Sequence, residues 1–271
     1  MRVGEWGVWY SAPSAGDSMR VVSLCPSTTE LVFELGAGAS LVGVTKFCVH
    51  PAGGVRCVAK VGGTKTPDVG AIAALSPDVV LLNEEENRVE DARELERRGL
   101  SCRVSLPKTV LAVAREIREL GSLLGRDGRA AELEAALRAA LDAVSSRRAA
   151  PVRFAYLIWR KPWMTVNRDT YVSALLEAAG GVNVFADHEP RYPAVSALEL
   201  GSAKPDAVLM SSEPFPFRPT HRDELALQAG LQPERFHFVD GELLSWHGAR
   251  TEAGLRCAAR LFESIRSGTS D

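Results

Sequence analysis

Long apolar runs, a basic excess and closely spaced cysteines are all missing from this chain of 271 residues. No stretch approaches the roughly 20 apolar residues that a membrane-spanning helix needs. The formal net charge is -2, and no local run is strongly basic, which argues against a nucleic-acid binder because such proteins carry a concentrated basic face. Hydrophobic residues make up 46% and charged residues 24%, so the composition is that of a globular protein rather than a disordered one.

The cysteines are few and odd in number: Cys25, Cys48, Cys57, Cys102 and Cys257. No two of them are spaced as Cys-x-x-Cys, which argues against a zinc knuckle or a dense disulfide framework. One or two bridges stay open, but free thiols in a reducing compartment are the simpler interpretation.

A secretory signal is also missing from the N-terminal stretch. Such a signal needs an apolar run of about 7–15 residues, and here Gly4, Glu5, Gly7 and Ser11 interrupt every run. We therefore expect a cytoplasmic protein as encoded, with residues 1–18 as a loose extension before Met19. A trimmed or alternative start would leave an extracytoplasmic, periplasmic location open.

Short apolar runs rich in Val and Leu alternate with helical patterns along the rest of the chain. The runs hardly alternate with polar residues, which is typical of strands covered on both faces in an α/β sheet. We predict strands at residues 21–24, 41–44, 79–82, 102–106, 153–159, 207–210 and 236–239. We predict helices at residues 28–35, 69–75, 90–98 and 109–124, most of which end at a glycine as expected.

One further helical stretch, at residues 129–146, has no Gly or Pro after its start and favours either a surface helix or a strut between two lobes. An internal similarity favours the strut: the Pro-Asp turn and strand at residues 77–84 resemble those at residues 205–213. We therefore predict an α/β fold with an N-terminal lobe at residues 19–125, a linking helix at 126–150 and a C-terminal lobe at 151–271.

Chemistry-bearing side chains are expected where the strands end, because ligands of open α/β sheets bind beyond the carboxyl ends of the strands. Aromatic residues there suit a large, flat, partly polar ligand, although some could instead cap the core. The three adjacent acids after residue 83 could equally be a solvated surface. Our candidate ligand-binding residues are Ser27, Thr28, Phe47, His50, Lys65, Glu84, Glu85, Trp159, Trp163, Tyr192, Glu213, Phe215, Phe217, Trp246, His247 and Arg250.

Catalytic and metal-binding signatures are absent from the sequence. There is no Gly-x-Ser-x-Gly elbow, no phosphate-binding loop of the required spacing and no His-Glu-x-x-His. We predict no catalytic residue, no intrinsic cofactor and no preformed metal site, with His247 as a candidate axial ligand if the bound molecule itself carries a metal.

Several segments, in their order along the chain, resemble the helical-backbone metal receptor family, and within it the cobalamin-binding branch. These segments are the opening strand and helix at residues 21–30, and those at 61–64, 75–80, 180–185 and 191–196. Members of this family are two-lobed binding proteins for cobalamin, haem and iron–siderophore that serve ABC importers.

The resemblance implies two Rossmann-like lobes, one rigid linking helix and a ligand cleft between the lobes. It implies that Phe47 and Tyr192 flank the ligand, that Trp163 and Trp246 lie on the rim of the second lobe, and that Ser27 and Thr28 offer N–H groups and hydroxyls to its edges.

The expected ligand is cobalamin or a similar metal chelate, and the expected partner is an ABC permease. Gly70 and Leu198 stand where importer-docking members carry acids, with Glu199 one residue away, which weakens the permease prediction. A cytosolic carrier, sensor or enzyme, using Glu84, Glu85, Glu86, His247 and Arg250 as charged groups, stays open, as does a regulatory or partner-binding protein.

Overall fold

A computed structural model describes residues 2–3, 8–9, 19–146 and 149–268. The chain forms two compact units. The first comprises Met1–Pro107 and Ala114–Ala135, and the second comprises Lys108–Val113 and Ala136–Asp271. The boundaries expected from the sequence stay predictions.

The first part of the chain forms β1 (Arg2–Val3), β2 (Val8–Trp9), β3 (Val21–Ser23), α1 (Pro26–Glu34), β4 (Leu41–Val44), α2 (Ala52–Val55), β5 (Ala59–Lys60), α3 (Val69–Ala74), β6 (Val79–Asn83), α4 (Val89–Arg97) and β7 (Cys102–Ser105). Two helices follow, α5 (Val110–Leu123) and α6 (Asp127–Ser145). The rest forms β8 (Val152–Leu157), α7 (Tyr171–Ala178), β9 (Gly181–Asn183), α8 (Ala197–Ala203), β10 (Ala207–Ser211), α9 (Pro219–Ala229), β11 (Phe236–Val239), α10 (Gly241–Ser245) and α11 (Thr251–Ser267).

Each unit contains a parallel sheet, as the uninterrupted apolar runs predict. The order is β5-β4-β3-β6-β7 in the first unit and β9-β8-β10-β11 in the second. The described pairs within both sheets are parallel. The order of the second sheet repeats that of β4-β3-β6-β7, so the predicted α/β fold with two similar halves is confirmed. The topological switch point lies between β3 and β6 in the first sheet and between β8 and β10 in the second, where a ligand crevice is expected.

The repeated Pro-Asp turn performs the same task in both units. In the first, the Asp78 carboxylate accepts a hydrogen bond from the Arg20 backbone N–H at 2.7 Å, and Asp78 N–H donates to the Arg20 carbonyl at 2.8 Å. In the second, the corresponding bonds join Asp206 and Arg153 at 2.9 and 2.7 Å. The similar sequences therefore make the same contact in both units. The aspartate before β6 or β10 is hydrogen-bonded to the arginine at the start of β3 or β8.

Aliphatic side chains from both faces of each sheet form its core. In the first unit Val22, Leu24, Val80 and Leu82 are at most 1% exposed. In the second, the core includes Leu157, Val208, Met210 and, unusually for a loop residue, Phe217. Burial of this kind contributes about 25 cal/mol per Å² of apolar surface, and it holds the strand-end loops in place.

The stretch predicted to be a strut is helical over α6. Its residues up to Ala135 belong to the first unit and those from Ala136 to the second. Leu137 is buried on this helix. Near its start, the Glu134 carboxylate accepts a hydrogen bond from Arg118 Nε on α5 at 2.7 Å, which fastens the two helices together within the first unit.

Candidate functional site

Asn87 joins three strand-end loops of the first unit. Its side-chain amide donates to the carbonyls of Leu24 and Thr64, both at 3.0 Å, and its Oδ1 accepts from the Asn83 N–H at 2.8 Å. Asn87 is 3% exposed. Because these loops follow β3, β5 and β6, this one side chain fixes the crevice at the switch point of the first sheet.

The predicted ligand residue Lys65 lies against the acidic loop after β6. Its ammonium donates to the backbone carbonyls of Glu85 at 2.5 Å and Asn87 at 3.3 Å. The loop itself is turned by the Asn83 side chain, whose Oδ1 accepts the Glu85 N–H at 2.9 Å. Glu84 and Glu85 are half-buried and Glu86 is exposed. Lys65 therefore holds this loop and meets its peptide groups rather than an acidic side chain.

The N-terminus of α1 borders the same loops. Ser27 and Thr28 are 5% and 2% exposed, and the Ser27 hydroxyl lies 3.2 Å from the Cys25 thiol. Burial, with a smaller contribution from the Glu86 charge, raises the pKa of Cys25 to about 12, so this thiol is neutral at physiological pH. The Thr28 backbone N–H bonds to the Cys25 thiol, and both hydroxyl side chains are largely enclosed, so a role of these groups toward a ligand stays a prediction.

Among the described residues of the first unit, Phe47 is the exposed aromatic, with 51% of its surface accessible. The Lys46 ammonium lies 5.1 Å from the ring centroid, a cation–π geometry. His50 is half-buried on the same segment, which follows β4. An exposed ring at a strand end is available for stacking, as the resemblance implies.

The second unit brings five rings together, and we call them the aromatic cluster: Trp159, Trp163, Phe215, Phe217 and His221. The loop after β8 and the loop after β10 supply the first four. Trp159 meets Phe215 edge-on at 5.6 Å, and Trp163 stacks on Phe217 at 6.2 Å. Trp159 is 41% exposed whereas Phe217 is 8% exposed, so Trp159 forms the surface of the cluster and Phe217 supports it from the core.

Charged groups of the aromatic cluster are paired. The guanidinium of Arg160 lies 5.6 Å from the Trp163 ring and contacts the Glu224 carboxylate at 2.5 Å. His221 Nδ1 accepts the Arg218 N–H at 3.1 Å, so the neutral ring carries its proton on Nε2. Desolvation, and then the charge of Arg160, lower the pKa of His221. His221 is thus a neutral hydrogen-bond donor near neutral pH.

Trp246 lies just past α10 and is held by two charged residues. Its Nε1–H donates to the Glu213 carboxylate at 2.5 Å. The Arg250 guanidinium lies 5.0 Å from the ring and contacts Glu242 at 3.0 Å. Sequence reasoning placed Trp246, Glu213 and Arg250 in one site, and the structure brings all three together.

Two other predicted residues have different surroundings. His247 is 7% exposed, with its ring edge-on to Tyr171 at 6.0 Å, so its imidazole lies inside the second unit. Tyr192 is 37% exposed on residues 191–195, whose backbone pairs with residues 163–167. Tyr192 therefore lies on a segment adjoining the aromatic cluster, whereas His247 is poorly placed to reach a metal.

The residues considered for permease docking differ in availability. Leu198 is 76% exposed on α8. Glu199 caps that helix instead, because its carboxylate accepts from the Ser196 N–H and hydroxyl, each at 2.7 Å, and these bonds lower its pKa. Gly70 lies in α3.

Sequence reasoning missed Asn83, Asn87, Arg160, His221 and Glu224. The only local signal was the spacing of the two asparagines around three acids. Within the described residues, no group of three or more His, Cys, Asp or Glu side chains could hold a metal ion, and no helix is long and apolar enough to span a bilayer.

Comparisons with known proteins identify relatives of similar sequence. The vitamin B12-binding protein of Vibrio cholerae is 26% identical over 194 residues, which cover 71% of this chain and 70% of that protein. That of Yersinia pestis is 27% identical, covering 71% and 69%.

Two solved structures have the same fold. The periplasmic vitamin B12 binding protein of Vibrio cholerae has a TM-score of 0.80 and 22% identity, over 91% of this chain and 97% of that one. The periplasmic haem-binding protein of Roseiflexus has a TM-score of 0.78 and 23% identity, over 94% and 100%. A sequence profile described as Periplasmic binding protein matches residues 21–233, and the chain therefore belongs to the periplasmic binding protein family.

Proposed function

We propose that this protein binds cobalamin, or a closely related corrinoid, without chemically changing it, and delivers it to an ABC importer. The observation that carries the proposal is the aromatic cluster of the second unit, where the exposed Trp159 and half-buried Trp163 and Phe215 lie at the strand ends. Flat aromatic surfaces of this kind suit a large planar ring. The named relatives that bind vitamin B12 support the choice of ligand.

The pairing of charges also favours a corrinoid. Arg160 and Arg250, the arginines in contact with tryptophan rings, are each held by a carboxylate. Haem carries two propionates, which need cations to offset their desolvation, whereas the edge of a corrin carries neutral carboxamides. Neutral carboxamides can accept the hydrogen bond that the His221 ring offers without bringing a further charge to the aromatic cluster.

Titration of the purified protein with cyanocobalamin, followed by tryptophan quenching, tests the proposal. We expect saturable quenching with a Kd of about 1 µM or below, a free energy of about -8 kcal/mol. Haem and a ferric siderophore serve as competitors and should bind at least about tenfold more weakly. A lack of saturable quenching by cyanocobalamin would overturn the proposal.

Two matched variants locate the binding surface. Trp159→Ala should weaken binding by about tenfold, since an aromatic anchor at the centre of an interface commonly contributes more than 1 kcal/mol. Leu227→Ala removes a more exposed side chain, 86% accessible on α9, outside the aromatic cluster and should leave Kd unchanged. Equal effects of the two substitutions would place the ligand elsewhere.

Haem is the second candidate, because several haem-binding proteins have the same fold, including one from Pseudomonas aeruginosa at 25% identity and a TM-score of 0.77. Tight haem binding with a Soret shift, in the absence of cobalamin binding, would favour it. An extracytoplasmic location is part of the proposal, and family membership supports it. Fractionation of cells that express the native gene checks it, and recovery with cytosolic markers would contradict it.

A further inference from the structure

A continuous set of hydrogen bonds extends from the core of the second sheet to Trp246. The buried Tyr156 hydroxyl donates to Ser211 Oγ at 3.0 Å, and Ser211 Oγ donates to the Glu213 carbonyl at 2.6 Å. Tyr156 is 1% exposed and Ser211 is fully buried. The backbone of Glu213 is therefore fixed from inside the sheet, on side chains that have no freedom to move away.

The Glu213 side chain then holds the indole by its edge. Its carboxylate accepts the Trp246 Nε1–H at 2.5 Å, a charge-assisted bond of the stronger kind. Gly241 makes room for this arrangement, since a Cβ at that position would lie 2.6 Å from Glu213 Cγ. The loop after β10 and the start of α10 are thus shaped around one carboxylate.

Arg250 covers one face of the same ring. Its guanidinium carbon lies 5.0 Å from the ring centroid, and Glu242 holds the guanidinium at 3.0 Å. Trp246 is half-buried, so its indole is restrained both along its edge and on one face.

We propose that Glu213 and Arg250 are positioning residues, which fix the orientation of the Trp246 indole for its contact with the flat ligand. This inference rests on the proposed function. Its physical basis is preorganisation: a ring that is already fixed loses little conformational freedom when the ligand stacks on it, so less of the interaction free energy is lost to ordering.

The first arm of the test observes the indole without any ligand. The Trp246 Hε1 resonance, assigned by its loss in Trp246→Phe, should exchange slowly with solvent in the wild-type protein and in Glu213→Gln, whose Oε1 still accepts the bond. Glu213→Ala should speed this exchange at least tenfold. Tyr156→Phe, which removes the first bond but keeps the core ring, should speed it by a smaller factor.

The second arm measures the Kd for cyanocobalamin. Glu213→Ala should weaken binding about tenfold, the loss expected for one hydrogen bond to a charged group, whereas Glu213→Gln should stay within about twofold of wild type. Glu234→Ala, an exposed acid on the turn before β11, should have no effect. Equal binding by Glu213→Ala and wild type, or equally weak binding by Glu213→Gln and Glu213→Ala, would overturn the positioning role.

The two arms separate the two proposals. A wild-type protein that binds no chelate overturns the proposed function. A Trp246 indole that exchanges as fast in wild type as in Glu213→Ala overturns the positioning role, whatever the protein binds. If Glu213→Ala fails to fold, Glu213→Gln and Tyr156→Phe still decide the question through the exchange rate.

Discussion

At the scale of single residues, the aspartates of the two Pro-Asp turns are the simplest to test. Replacing Asp206 by Ala removes the acceptor of the Arg153 N–H, and replacing Asp78 by Ala removes that of Arg20. We expect each change to lower the free energy of unfolding by about 1–2 kcal/mol, measured by urea denaturation. Because the geometry is shared, the two losses should be similar, and a loss at only one turn would contradict the equivalence of the two devices.

Asn87 should be more sensitive, because its three hydrogen bonds are all buried. Asn87→Ala leaves two carbonyls and one N–H without their partner, at about 1–3 kcal/mol for each group that water cannot reach. We expect a total loss of about 3 kcal/mol and slower refolding of the loops around it. Glu86→Ala, on the exposed neighbour one residue away, is the matched control and should change stability by less than about 0.5 kcal/mol.

Thiol reactivity follows burial in this chain. Burial raises the pKa of Cys25 and of Cys102 to about 12, above the ordinary value of 9.0. In the folded protein these thiols stay protonated at pH 8, so iodoacetamide should label the exposed Cys57 first and leave both unlabelled. The folded state retains these protons where the unfolded chain loses them, and stability should therefore fall as pH rises from about 9 to 12. Mass spectrometry of labelled peptides checks the order, and fast labelling of Cys25 at pH 8 would contradict it.

The position of most candidate residues at the strand ends could be predicted, but the side chains that contact them could not. Trp159, Trp163, Phe215 and Trp246 were placed by the rule that ligands meet the ends of parallel strands. Glu224 pairs with Arg160 across 64 positions of sequence, and no local pattern marks such a pairing. Likewise, Phe217 and His247 have the sequence context of loop residues, and they are buried by distant side chains, among them Trp163 and Tyr171.

At the scale of helices and strands, some glycines lie where two elements approach closely. A Cβ on Gly201 of α8 would overlap the Ala229 carbonyl oxygen at the end of α9. Gly201→Ala should therefore destabilise the second unit by about 1–3 kcal/mol, as overpacking does. Gly128→Ala in α6 meets open space and should stabilise the protein by about 0.5–1 kcal/mol, because alanine is the better helix former. Thermal unfolding measures both, and equal shifts would refute the packing argument.

The strands were predictable where an apolar run is long enough. β4 and β11 match the predicted residues in full, and β3, β6, β7, β8 and β10 differ by one or two residues at their ends. Four strands were missed: β5, β9 and the short antiparallel pair β1 and β2, which lies in the stretch expected to be a loose extension. β5 has two residues, both exposed, and β9 reads Gly-Val-Asn with Val182 exposed. These edge strands are defined by pairing with a neighbour, β4 or β8, rather than by their own composition.

At the scale of the whole molecule, α6 is one of two helices, with α5, whose residues are divided between the units. Ala135→Pro removes a backbone N–H and clashes with the preceding turn, which costs about 3 kcal/mol in a helix interior. Each unit has its own apolar core, so we expect new proteolytic cleavage within α6 before either core is digested. Ala135→Gln, which keeps the helix, should be cleaved no faster than wild type, and rapid degradation of the entire Ala135→Pro chain would show that the units depend on each other to fold.

The assignment of Lys108–Val113 to the second unit has a practical consequence for truncation. The first unit is discontinuous in the chain. A piece that stops at Pro107 therefore lacks Ala114–Ala135, the parts of α5 and α6 that belong to this unit. It also lacks Glu116, whose carboxylate lies 3.9 Å from the buried Arg103 guanidinium. The shortest piece that retains this layer must run on to Ala135. It then carries Val110 and Val113, at 3% and 0% exposure, without the unit that shields them from water. Such a piece should aggregate in solution unless those two valines are replaced by polar residues.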